Sequence, residues 1–522
     1  MEMPPLLFVK RDPTLTKGEI HGEPGLIGST FNALPEILAA HGRHRPERPA
    51  LQQGGICWTW GEFAARIDSV AALLAERGVQ PGDRVALLSG NRMDAYAVAF
   101  GALRAGAVIA PLSPMLSPPQ LAAVLADCAA ALLFVDPLLL PLAEAAGAAG
   151  IIPLPLDLPT APAGFTPPLS GGTDPATLIY SSGTTGEPKG ILHDHRARMD
   201  QAAGLAAEFR IDDRARTLLA TPLHTNGTWM MALPTLASGG CCLLMERFTP
   251  DAAAALLADE AATHMFAVPT MLQAMLQPLG AATAGFPAME MVVSAGSALS
   301  LALKARLSPL LGGKLAELYG LTEGVATILK PHDMATHADS VGRPGCGVEI
   351  EIVGEDGQLL PPGETGEIVG RSAGLMRGYY GRPEATQAIL WHDARGRAFL
   401  RTGDMGHFDS TGFLHIVDRK KDMIISGGLN IFSADLEEVV RGHASVAEVA
   451  VIGLADAKWG ETPVAVVVPA RAEASAEAIA AFANATLAKH QRLSRVILRA
   501  EPLPRNLLGK VLKRQLREEY GG

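Results

Sequence analysis

The sequence has no uninterrupted apolar run long enough to span a bilayer. Residues 95–111 come nearest, but Arg104 interrupts them and prolines follow. The start, Met1-Glu2-Met3-Pro4-Pro5, lacks a charged segment followed by an apolar one, so no signal peptide is expected. Positive charge is in deficit: 44 Lys and Arg against 54 Asp and Glu give a net charge of −10. That balance argues against a general nucleic-acid binder. An anionic ligand must therefore be met by local basic residues, not by the overall field. Cysteine is scarce and odd in number: Cys57, Cys128, Cys241, Cys242 and Cys346 show no metal-type spacing. They read as reduced thiols, which points to the cytoplasm. There is no internal repeat, and at 522 residues the chain is too long for one core.

What is present alternates. Residues 67–77 have helical spacing (Ile67, Ala71, Leu74), the turn 78–83 follows, and residues 85–88 form a short apolar strand. Residues 94–105 read as a helix and residues 108–110 as the next strand. Such alternation implies an α/β fold with parallel sheets covered by helices. From about residue 349 the pattern turns β-rich, with Gly/Asp turns between residues 350–353, 366–369 and 413–417, like a small barrel. A helix is expected over residues 434–441, inside a small α+β unit that runs to the end.

The most informative stretch is Tyr180-Ser181-Ser182-Gly183-Thr184-Thr185-Gly186-Glu187-Pro188-Lys189-Gly190, directly after an apolar run. Glycines let backbone N–H groups turn inward, hydroxyls donate further bonds, and Lys189 adds charge, which suits a polyphosphate. It is not a Walker A loop, since Lys189 is followed by Gly190-Ile191. Four further motifs follow in order: Tyr319-Gly320-Leu321-Thr322-Glu323-Gly324, Arg401-Thr402-Gly403-Asp404, Asp418-Arg419-Lys420-Lys421-Asp422, and Pro504-Arg505-Asn506-Leu507-Leu508-Gly509-Lys510. Over residues 58–517 the chain thereby resembles the adenylate-forming superfamily of acyl-CoA synthetases, adenylation domains and luciferases. Five motifs in one order are far more specific than any one of them.

The resemblance implies a large N-terminal domain of layered α/β subdomains with a small β-barrel-like subdomain, residues 1–420, and a small mobile α+β domain, residues 421–522. It implies ATP, Mg²⁺ and coenzyme A as co-substrates and cofactor. Ser181, Ser182, Gly183, Thr184, Thr185, Gly186 and Lys189 would hold the β- and γ-phosphates. Thr322 would bond the α-phosphate, and Glu323 would bind Mg²⁺, a hard cation suited to one carboxylate plus waters. Tyr319 and Gly320 would lie against the adenine, which Gly296 and Ser297 would meet from a turn. Asp404 has two acceptor oxygens for the ribose hydroxyls, with Arg419 beside it. Leu400 departs from the family, where an aromatic residue is common.

Lys510 would bridge the attacking carboxylate and the 5′-oxygen. Lys421 would be the hinge about which the C-terminal domain turns, bringing Ile425, Ser426, Gly427 and Gly428 to a pantetheine tunnel. His224 matches the family histidine near the carboxylate, although one residue fewer separates it from Pro222. If a helix follows, Thr225, Asn226, Trp229, Met230 and Gly296 line a neutral acyl pocket, apolar but for Asn226. That pocket suits a medium-sized aliphatic or aryl acid. The reaction implied is acid activation to acyl-AMP with release of pyrophosphate, then transfer to coenzyme A. An amino-acid or aryl-acid adenylating enzyme serving a carrier protein is the alternative, as is a luciferase-like oxygenase. No Asp or Glu lies between Pro222 and Leu244 to meet a substrate ammonium, which disfavours an amino acid. The implied partners are small molecules, with no nucleic acid and no membrane span; a homodimer is left open.

Overall fold

The structure is a computed structural model that describes residues 31–156, 158–181, 189–259, 261–282, 285–426, 429–471, 473–505 and 511–521. Two large sheets dominate the first part. The seven-stranded sheet carries Arg84–Leu88 at its heart, with Val108–Leu112 and Leu132–Val135 parallel on either side. Strand residues alternate between its faces. Val85 and Leu87 join the main core, while Ala86 and Leu88 belong to a second cluster on the opposite face. The nine-stranded sheet holds Cys241–Leu244, Arg216–Leu219, His264–Ala267, Met291–Ser294 and Leu315–Gly320 as parallel neighbours.

Helices Trp60–Glu76, Met93–Arg104 and Asn226–Ser238 contribute to one core with residues of both sheets, so helices are layered between them. Thr59 starts the first of these through a capping box: its side chain accepts from the Glu62 N–H, and Glu62 accepts from the Thr59 N–H. Met93–Arg104 is buried at every position but Asp94. Arg104, the charge that interrupts the apolar run, is buried there with Asp68 at 3.0 Å and Glu36 as ion-pair partners. Among the described residues no helix is long and apolar enough to cross a membrane.

The β-rich part forms a five-stranded antiparallel sheet, in which Ala398–Phe408 pairs with Gly366–Ser372, Leu390–His392 and Leu414–Arg419. The C-terminal domain has its own five-stranded sheet and its own core, in which Ile424, Leu436, Val451 and Ile479 pack together. Its first helix, Ser433–Arg441, is capped from outside. Asp418, at the end of Leu414–Arg419, accepts from the Ser433 N–H, the Ser433 hydroxyl at 2.7 Å and the Ala434 N–H at 3.3 Å.

Candidate active site

The segments that carry the motifs leave the carboxyl ends of parallel strands in the nine-stranded sheet. His224 follows Arg216–Leu219, the Gly296 turn follows Met291–Ser294, and Thr322 and Glu323 follow Leu315–Gly320. In open α/β sheets the crevice at those ends is where ligands bind.

Asp404 is buried at 4% exposure. Its Oδ2 accepts from the Tyr319 hydroxyl at 2.7 Å, and its Oδ1 lies 3.1 Å from Arg419 Nε. Cross-strand pairing of Asp404 with Arg419 sets the second contact. Among the described residues each carboxylate oxygen therefore has one protein partner and keeps a further lone pair for a ligand hydroxyl. A cavity of about 380 Å³ lined by Thr402, Gly403, Arg419, Lys420 and Lys421 opens beside it. Gly296, at φ 96°, and half-buried Ser297 form the turn next door. Glu317 holds that turn by accepting from the Leu299 N–H at 2.8 Å, and is itself paired with buried Lys304 at 2.5 Å.

Glu323 lies four residues after Tyr319. Its Oε1 accepts from the Tyr379 hydroxyl at 2.9 Å, and the Tyr379 ring lies 5.2 Å from Lys189 Nζ. Burial and the Glu323 charge push the Tyr379 hydroxyl pKa up, so it stays a donor. Tyr379, on the edge strand of the seven-stranded sheet, thus ties Lys189 on the adjacent strand to Glu323 in the turn after Leu315–Gly320 of the other sheet. It was missed by sequence reasoning; the Gly378-Tyr379-Tyr380 cluster was the available signal. Gly324, at φ 110°, closes the turn: a Cβ there would meet the Gly374 carbonyl oxygen at 2.3 Å. The Met376 N–H donates to the Glu323 carbonyl at 2.8 Å, which clamps the same loop. Thr322 is half-buried beside it, and Gly320 is exposed. Glu323 Oε2 has no protein partner among the described residues, which suits one carboxylate ligand to a hard cation. No cluster of three or more candidate metal ligands occurs among them either, so such an ion would rely on phosphate oxygens and water.

His224 is half-buried, and its Nδ1 has no hydrogen-bond partner among the described residues. Burial lowers its pKa to about 4, so the ring is neutral at physiological pH. The expected helix runs Asn226–Ser238, and Asn226, Gly227 and Met230 remain half-exposed on it. Two expectations need correction. Trp229 does not line a pocket: it is fully buried, donates to the Leu223 carbonyl at 2.6 Å and packs on Phe100. Nor is the region neutral and apolar but for Asn226. The buried guanidinium of Arg198 donates to Asn226 Oδ1 at 3.0 Å.

Lys421 is exposed in a turn where the Asp422 and Met423 N–H groups both bond to the Arg419 carbonyl. Ile425 and Ser426 pair within the C-terminal sheet, where the Ile425 N–H donates to Glu461 at 2.9 Å. No hydrogen bond among the described residues joins them to His224. The phosphate-loop residues Ser182, Gly183, Thr184, Thr185 and Gly186, the tunnel glycines Gly427 and Gly428, and Lys510 lie outside the described residues. Ser181 is placed only as the strand partner of Lys189.

Comparison with known proteins extends the picture. Residues 38–380 match the AMP-binding enzyme family and residues 435–510 its C-terminal domain. A feruloyl-CoA synthase from an Amycolatopsis species is 34% identical over 92% of this chain and 97% of its own length. A long-chain-fatty-acid–CoA ligase of Mycobacterium tuberculosis is 33% identical over 88% of this chain and 93% of its own. The ATP-bound structure of MatB from Rhodopseudomonas palustris superposes with a TM-score of 0.83 at 29% identity, covering 94% of this chain and 99% of that one.

Proposed function

The chain belongs to the AMP-binding enzyme family, and from that premise we propose that it is an AMP-forming acid–CoA ligase. A carboxylate oxygen of the acid attacks the α-phosphorus of ATP, and the bond to the bridging oxygen breaks to release pyrophosphate. The sulfur of coenzyme A then attacks the acyl carbon, the thiol proton is lost, and AMP leaves.

The observation that carries this reading is the pairing made by one short segment. Tyr319 bonds Asp404 and, four residues on, Glu323 bonds Tyr379 beside Lys189. A nucleotide needs those two ends: a buried carboxylate for ribose hydroxyls, and cationic and hydroxyl donors for phosphates. Asp404 and Arg419 would take the ribose, Tyr319 and the Gly296–Ser297 turn the adenine, and Thr322 the α-phosphate. Lys189 and residues 181–186 would take the leaving pyrophosphate, offering fixed donors where charge builds up. Mg²⁺, held by Glu323, would supply further neutralisation of phosphate charge when bound. Neutral His224 would orient the acid without competing for charge. Lys510 would approach the attacked phosphate in the first step and withdraw as residues 421–522 turn about Lys421.

The acid is a medium-sized aliphatic or aryl carboxylic acid, received between His224 and Met230. The test is a panel of such acids with ATP and coenzyme A, followed for AMP, pyrophosphate and thioester. Equal amounts of the three products with at least one acid are expected. Formation of ADP and phosphate instead would refute the proposal.

A further inference from the structure

Arg198 is 3% exposed on helix His195–Phe209. Its Nε donates to Thr177 Oγ1 at 2.7 Å, and its Nη1 donates to Gln201 Oε1 and to Asn226 Oδ1, both at 3.0 Å. Its Nη2 is buried with no hydrogen-bond partner among the described residues. The guanidinium lies 5.7 Å from the centre of the Trp229 ring, and no carboxylate pairs with it among the described residues. Desolvation together with the Arg198 charge keeps His193, buried nearby, neutral. A buried charge without a counter-ion is costly to folding. Desolvation alone lowers the arginine pKa to about 9, which leaves it charged at neutral pH.

The consequence falls on Asn226. A guanidinium only donates, so the amide oxygen of Asn226 must face it. The Asn226 NH2 group is thereby turned away from Arg198, and it has no partner among the described residues. Asn226 is the half-exposed first residue of its helix, two residues after His224. The wall of the acyl site therefore presents a donor-only amide backed by an unneutralised positive charge. A purely hydrocarbon tail would leave both unmatched, and an ammonium would be repelled. An anionic acceptor satisfies both.

We propose that the acid this enzyme activates carries a second carboxylate at its far end, bound by the Asn226 amide, with Arg198 as the positioning residue that orients that amide and supplies the field. The inference rests on reading residues 224–230 as the acyl site.

The test compares α,ω-dicarboxylic acids of about three to ten carbons, and terephthalate, each with its monomethyl ester. Acid-dependent pyrophosphate release is the readout. For at least one pair the diacid should exceed its ester by roughly tenfold or more in kcat/KM, as expected of a charge-assisted hydrogen bond. Arg198→Met should raise KM for that diacid by roughly ten- to a hundredfold and leave the ester within about threefold, while Arg198→Lys should keep part of the preference. Activity on the ester shows that the variant has folded. A wild-type enzyme that favours the ester in every pair overturns the inference without any variant, as does an equal loss for diacid and ester in Arg198→Met. Those outcomes leave the ligase reading standing. No release with any acid, these or the simple monoacids, overturns that reading and this inference with it.

Discussion

At the residue scale the account turns on Asp404 and on Lys510. Asp404 is buried, and each of its oxygens has a single donor among the described residues. Asp404→Asn keeps the volume but replaces one acceptor by a donor that faces Tyr319 or Arg419. The KM for ATP should rise about tenfold or more, with the KM for the acid nearly unchanged, since hydrogen bonds to charged groups are worth about 1.5–3 kcal/mol. Steady-state kinetics varying each substrate in turn checks this. Lys510 is proposed to act in adenylation alone. Lys510→Ala should lower acyl-AMP formation by roughly two or more orders of magnitude, as for loss of a donor to developing charge. Thioester formation from supplied acyl-AMP should persist. Unimpaired acid-dependent pyrophosphate release would remove Lys510 from its role. Arg198 shows what sequence reading passed over at this scale. Residues 195–200 look like a charged helix face, yet His195, Arg198 and Ala202 recur at helical spacing and are all buried. That periodicity was the available sign, and polarity obscured it.

At the element scale, apolar pattern and turn chemistry made most local structure legible. The apolar run at 85–88 is the strand Arg84–Leu88, and the helix expected at 94–105 is Met93–Arg104. Contacts between distant elements were not legible. The Tyr319–Asp404 bond joins residues 85 positions apart, and Asp418 caps a helix across the proposed hinge. Such bonds depend on register and layer placement, which local periodicity does not encode. The proposed hinge has a clear consequence. The Asp418 cap ties the C-terminal domain to the strand before Lys421, and a turn about Lys421 must release it. Lys421→Pro fixes φ at that position. Adenylation should continue near the wild-type rate while coenzyme A transfer falls steeply. Equal loss of both half-reactions would locate the pivot elsewhere.

At the scale of the whole molecule, several buried or half-buried histidines are held in uncharged form. Burial lowers the pKa of His193, His195, His224 and His264 below the ordinary value of 6.5, for His224 to about 4. An unfolded chain binds protons at these sites as pH falls below about 6.5, while the folded protein does not until lower pH. Folded stability should therefore be full above about pH 7 and decline between about pH 6.5 and 4. Tm measured across that range should fall with pH, and His224→Gln should flatten part of the slope; a Tm that rises toward pH 5 would contradict this. The same architecture brings the carboxyl ends of the parallel strands in one sheet, through Tyr379, to Lys189 on the other. A site built that way should activate the acid before any thiol is needed. The direct test is exchange of labelled pyrophosphate into ATP in the absence of coenzyme A. Exchange should require the acid, and adding coenzyme A should then convert the bound adenylate into AMP and thioester in equal amounts. Exchange that proceeds without acid, or only when coenzyme A is present, would contradict the two-step account.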